Sequence, residues 1–236
     1  AEVRRHPGSF DDAVRQTFAT ARAEGWHAIP DTGDDEALQA PRDVTQGYAV
    51  MTAEILEQLP VGERPSHVFL QAGVGGMAAA TCAEFWRKFG IERPTTILVE
   101  PENAACWYAS LTSGRPTAIT GDIDSFMGGL SCGEVSTLAW EILQSGAHAA
   151  LAIQDDAARA AMRVLAQGVN GDPGLVGGES GVAGLAGLLT SATDQPTREA
   201  LGLNEQSCVV LIGSEGATDE AEYERVVGIP WRKVAS

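Results

Sequence analysis

The sequence is short of basic residues. Sixteen Lys and Arg stand against 32 Asp and Glu, a formal net charge of −16. That balance repels nucleic-acid phosphates and anionic membrane surfaces, which are held by basic patches, so neither partner is expected. Lysine itself is reduced to Lys88 and Lys233. The cysteines are Cys82, Cys106, Cys132 and Cys208, and none forms a C-x-x-C pair. This argues against a thiolate zinc site and, in a chain of 236 residues, against a disulfide scaffold. A reducing, cytoplasmic setting is the resulting expectation. No apolar run approaches the roughly 18 residues of a membrane-spanning helix. The N-terminal AEVRRHPGSFDD has no apolar core of signal-peptide type and reads as the end of a strand entered in mid-domain. His6, His27, His67 and His148 are scattered without metal-ligand spacing, so no metal is expected. No G-x-S-x-G elbow supports a serine nucleophile.

What is present points to a packed α/β domain. Hydrophobic residues make up 44% and charged residues 20%, which allows a core and argues against disorder. Ser9 and Asp12 form an acidic variant of a capping box before Phe10, Val14, Phe18 and Ala21 at helical spacing, with Gly25 as the stop. Residues 26–30 (WHAIP) read as a short strand and 31–41 as a loop. Val44, Tyr48, Met51, Ile55 and Leu59 mark the next helix, ended by Pro60. Apolar runs at 67–71, 96–100, 149–153 and 208–212 read as buried strands, with a further short strand at 117–119. Helices are expected between them, including a small-residue helix at 180–192. The alternation predicts an open parallel sheet with helices on both faces. Residues 1–50 are expected to be the remainder of a smaller domain and its crossover, and 51–236 a large α/β domain. In such sheets ligands bind beyond the carboxyl ends of the strands.

The loop Gln71-Ala72-Gly73-Val74-Gly75-Gly76-Met77-Ala78 joins a strand to a helix. Glycines let backbone approach an anion, and free N–H groups with the helix dipole favour phosphate. A tight turn without ligand has the same composition. The loop also fits G-x-G-x-x-A, with Glu100 where a ribose-binding acid would sit, so it does not separate a nicotinamide dinucleotide from another phosphate-bearing cofactor. Gly213-Ser214-Glu215-Gly216 could present a hydroxyl to a ring nitrogen, or be a polar turn. In Gly178-Glu179-Ser180-Gly181, helix capping is the simpler reading of the serine. Asp31 directly follows the 26–30 segment, with Asp34, Asp35 and Glu36 nearby, as a proton carrier or part of a solvated acidic loop. Cys106 and Cys132 could brace the 120–134 loop or be two separate small apolar residues.

Taken in order, HVFLQAGVGGMA, TILVEPENAAC, FMGGLSCGE, GGESGVAGLAGL and VVLIGSEGATD resemble the tryptophan-synthase-like (fold type II) pyridoxal-phosphate enzymes. With EGWHAIPDT, TQGY and NGDP, they are most similar to the diaminopropionate ammonia-lyase family, over nearly the whole chain. The resemblance implies that Gly73, Val74, Gly75, Gly76 and Met77 bind the phosphate of pyridoxal 5'-phosphate. It implies that Ser214 faces the pyridine nitrogen and that Asp31 transfers a proton on the D-isomer of the substrate. The family eliminates the β-amino group of 2,3-diaminopropionate, a small amino acid, giving pyruvate and ammonia. The Schiff-base lysine lies in an N-terminal segment of the family pattern, and neither Lys88 nor Lys233 sits in that motif. The chain is therefore expected to be catalytically incomplete alone, and to associate as a homo-oligomer or with the segment it lacks. A Rossmann-type nicotinamide-dinucleotide-binding protein, or a non-catalytic fragment or relative of the fold, is the alternative.

Overall fold

The computed structural model describes residues 2–30, 32 and 39–234. Its centre is a four-stranded sheet of β1 (His67–Gln71), β2 (Thr95–Pro101), β3 (Ala149–Ile153) and β4 (Val209–Leu211). The order is β3-β2-β1-β4 and every pairing is parallel. Parallel neighbours require crossovers, and each strand is followed by a helix. These are α3 (Gly76–Phe89), α4 (Cys106–Ser113), α6 (Asp155–Gln167) and α9 (Glu220–Val227), after β1, β2, β3 and β4 respectively.

Period-two alternation sorts the strand side chains between two cores. Val68, Leu70 and Leu98 pack with Ala78, Ala79, Cys82 and Phe85 of α3 and with Ala139 and Leu143 of α5 (Thr137–Gly146). Met51 and Ile55 of α2 (Gln39–Gln58) cover that side. Phe69, Ile97, Val99 and Ile153 point the other way, onto α6, α9 and α7 (Ala183–Thr193). The small-residue helix α7 lies unusually close to the sheet. A Cβ at Gly184 would sit 2.7 Å from the Phe69 carbonyl oxygen, and one at Gly187 would sit 2.7 Å from Val99 Cγ2. With helices on both faces, the sheet is the doubly covered architecture read from the sequence.

The N-terminal helix α1 (Phe10–Glu24) starts with the expected capping box. Ser9 Oγ accepts from the Asp12 N–H and the Asp12 carboxylate accepts from the Ser9 N–H, both at 3.1 Å. Three expected strands do not form. Residues 26–30 are coil, with Trp26 and Ile29 exposed and no strand beside them to complete a ladder. Glu2 and Val3, the described part of the strand end expected at 1–3, are likewise coil, and Ala1 lies outside the described residues. Around 117–119 a single bond, from the Ile119 N–H to the Gly133 carbonyl, takes the place of a ladder. The helix expected from 180 begins at Ala183, after a turn. An additional helix, α8 (Gln195–Leu201), starts where the Asp194 carboxylate accepts from the Thr197 N–H and a proline occupies the first turn. That pairing of acceptor and proline is a legible start signal in hindsight. Among the described residues, no helix is long and apolar enough to cross a membrane.

Candidate functional site

At the carboxyl end of β1 the chain turns through 72–75 into α3. The first intrahelical bond runs from the Ala79 N–H to the Gly75 carbonyl, and Gly75 offers no side-chain cap. The N–H groups of Gly76, Met77 and Ala78 therefore open the helix without an intrahelical acceptor. Gly75 is left-handed, with φ 100°. A Cβ there would fall 2.3 Å from Trp107 of α4, whose indole N–H donates to the Gly73 carbonyl at 2.8 Å. The tryptophan thus holds the turn from behind and requires it to be bare.

Three other loops meet this turn. Residues 128–132 lie against it, and a Cβ on Gly73 would be 3.1 Å from both Cys132 Sγ and the Gly129 carbonyl. The Gly129 N–H donates to Ser180 Oγ at 2.9 Å. The serine therefore ties two loops together, and the helix capping expected of it is not what its side chain does. Behind it, one oxygen of Glu215 accepts from the N–H groups of Ser180 and Gly181, at 2.7 and 3.0 Å. Gln71, at the end of β1, donates to Ser214 Oγ at 2.5 Å and to the Ile212 carbonyl at 2.8 Å.

These pieces line one cavity of about 430 Å³. The structure brings together Gly73, Val74, Gly75, Gly76, Met77 and Ser214, with Tyr48 and Phe10 at its margin. Asp31 lies outside the described residues. Its neighbour Thr32 is buried and lines an adjoining cavity with Asp11, Arg15 and Val74. Gln71 and Glu215 lie within the sequence motifs, but their partners are distant in sequence, so no local pattern marks their roles. Gln71 is flagged only as a polar residue closing an otherwise apolar strand.

Glu100 does not reach the cavity. It is fully buried, and its carboxyl accepts from the Trp107 and Tyr108 N–H groups at 2.8 and 2.6 Å, capping α4. Burial pushes it up to about 8, against those two donors, which favour the anion. An acid committed to a helix end in the core cannot hold a ribose, which removes the support for a nicotinamide dinucleotide. Cys106 and Cys132 are both buried and are not joined in a disulfide. Burial raises the Cys106 thiol first, and the nearby Glu100 and Cys132 add to the effect. Among the described residues, no cluster of His, Cys, Asp or Glu could hold a metal.

The model of the pyridoxal-phosphate dependent enzyme family matches residues 1–213. The chain belongs to that family. It is 38% identical over 224 residues to the diaminopropionate ammonia-lyase of Escherichia coli strain K12, covering 93% of this chain and 56% of that protein. The Salmonella typhimurium diaminopropionate ammonia-lyase is 34% identical over 243 residues, covering 96% and 60%. The crystal structure of the holo enzyme from Escherichia coli superposes with a TM-score of 0.86 at 36% identity, over 98% of this chain and 59% of that one. The chain spans a little over half the length of the curated relatives it matches.

Proposed function

We propose that this chain is the cofactor-binding part of a diaminopropionate ammonia-lyase, which eliminates the β-amino group of 2,3-diaminopropionate to give pyruvate and ammonia. The observation that carries this reading is the single cavity joining the uncapped start of α3 to Ser214. Its size is within the usual range of small-molecule sites. The donor set fits pyridoxal 5'-phosphate. Bare N–H groups and the positive end of a helix suit a phosphate dianion, and a hydroxyl across the cavity suits a ring nitrogen.

When bound, the cofactor supplies an electron sink for charge developing on the substrate's α-carbon. The residues of this chain position and protect. Gly73 to Met77 hold the phosphate through backbone N–H groups, and Ser214 orients the ring. The 128–132 loop, hooked by Ser180, forms a wall that limits access of water. Asp31 moves the α-proton of the D-isomer. Residues 51–236 serve as the large domain and 1–50 as the remainder of the smaller one and its crossover. The enzyme works in the cytoplasm as a homo-oligomer on a small amino-acid substrate.

Neither lysine of this chain serves as the Schiff-base residue. Lys88 is exposed in the last turn of α3, twelve residues and roughly 18 Å along the axis from Gly76, three times the reach of its side chain. Lys233 does not line the cavity. The lysine is supplied from outside these residues, and the test follows from that. The full-length protein with Lys88→Ala and Lys233→Ala together should keep its Schiff-base absorbance and its release of pyruvate from diaminopropionate. Loss of the absorbance in the double variant, or no pyruvate release from the unmodified protein, overturns the reading in favour of another lysine assignment or a non-catalytic relative.

A further inference from the structure

Gln71 is almost completely buried at the end of an apolar strand. A glutamine there is expensive, because its Oε1 is buried without a hydrogen-bond partner. Leucine or methionine would fill the same space without that cost. What the amide does is specific. Its nitrogen lies 2.8 Å from the Ile212 carbonyl oxygen and 2.5 Å from Ser214 Oγ. A carbonyl oxygen can only accept, so the amide atom facing Ile212 must be the NH2 group, and the orientation of the amide is settled. Of its two hydrogens, one goes to Ile212 and the other to Ser214. The serine oxygen therefore accepts from Gln71, and its own hydrogen is left to point elsewhere. Among the described residues, no other partner takes it.

We infer that Gln71 is a positioning residue that fixes the Ser214 hydroxyl as a hydrogen-bond donor into the cavity. A cofactor ring nitrogen placed there is then met as an acceptor and stays unprotonated. This rests on the reading of the cavity as the pyridoxal-phosphate site. Ser214 alone would be indifferent, because a hydroxyl can donate or accept. Gln71 occupies one of its two acceptor positions and so biases it toward donating. With the amide donating to the serine, a protonated ring nitrogen would make Ser214 accept from two donors, with its own hydrogen unused.

The test uses the full-length holoenzyme reconstituted with pyridoxal phosphate isotope-labelled at the ring nitrogen, observed by nuclear magnetic resonance. The unmodified protein should show an unprotonated, hydrogen-bonded ring nitrogen, and a pyridinium resonance overturns the inference without any variant. In Gln71→Glu the oxygen facing Ile212 and Ser214 accepts from the serine, reversing the hydroxyl. The ring resonance should move, and it should not move further when Gln71→Glu is added to Ser214→Ala. An unchanged resonance in Gln71→Glu, or an equal change in both backgrounds, sinks the role of Gln71. Gln71→Leu gives a second variant that introduces no acidic group, and it should also free the hydroxyl and broaden or shift the resonance. If Ser214→Ala alone leaves the resonance where it was, the ring is not at Ser214 and the underlying site reading fails first.

Discussion

Replacing Gly75 with alanine should destabilise the chain far more than the same change at Gly62, although both are left-handed glycines in turns. At Gly62, φ is 90° and an added Cβ meets nothing within 4 Å, leaving only the backbone penalty of about 1–2 kcal/mol. At Gly75, φ is 100° and the Cβ would lie 2.3 Å from Cζ2 and 2.9 Å from Cε2 of Trp107. That indole cannot step aside. It is fully buried, stacked on Trp140 with ring centroids 6.2 Å apart, and bonded through its N–H to Gly73. Overpacking adds about 1–3 kcal/mol, and a lost indole hydrogen bond about 1 more. The expected total is about 4 kcal/mol for Gly75→Ala. Urea unfolding of the two variants, compared at matched m-values, measures the difference directly. Midpoints that coincide would refute the reasoning, since they would mean that Trp107 yields freely and the turn is not held bare from behind.

Glu100 makes a prediction about pH. Its carboxyl is raised from the usual 4.5 to about 8, so between those values the folded chain binds more protons than the unfolded one. Stability should therefore fall as pH rises from about 4.5 to 8, by on the order of 5 kcal/mol, and Glu100→Gln should flatten that slope even as it weakens the α4 cap. A slope that persists in Glu100→Gln would assign the proton to another group. Glu215→Gln removes the charge from the acceptor that serves Ser180 and Gly181, at a cost of about 1–2 kcal/mol. Hydrogen exchange at those two amides should quicken selectively, and uniform exchange across the 178–181 turn would show that the carboxylate does not hold it.

The parts of the fold legible in the sequence were those whose cause is local. The run at 67–71 becomes a strand over the expected residues because burial on both faces demands an unbroken apolar stretch, and 149–153 forms the edge strand expected although only Ile153 in it is buried. The Ser9–Asp12 cap and the glycine turn likewise carry their own geometry in a few adjacent residues. WHAIP failed for the opposite reason, since a strand exists only where a neighbour completes its hydrogen bonds. The serine of GGESG was expected to cap its own helix but holds the 129 loop instead. No local pattern announces that choice. The Gln71–Ser214 pair was hidden in the same way, its members being 143 residues apart. The glycine turn at the end of β1 could be located from sequence, whereas the bond from Gln71 to Ser214 across the cavity could not.

The bond between Gln71 and Ser214 depends on β4 sitting beside β1 in one register, with His67 opposite Val209 and Phe69 opposite Leu211. Because side chains alternate along a strand, a slip of β4 by one residue would turn its side chains to the opposite faces and carry Ser214 away from Gln71, which β2 holds in place. The pairing also closes the longest loop in the sheet, an event that chain entropy places late in folding. The cavity is therefore completed only when β4 docks, since Ser214 follows that strand while the glycine turn follows β1. Any ligand that spans both ends would act as a proofreader of that final step, adding its binding free energy only to molecules whose sheet had closed correctly.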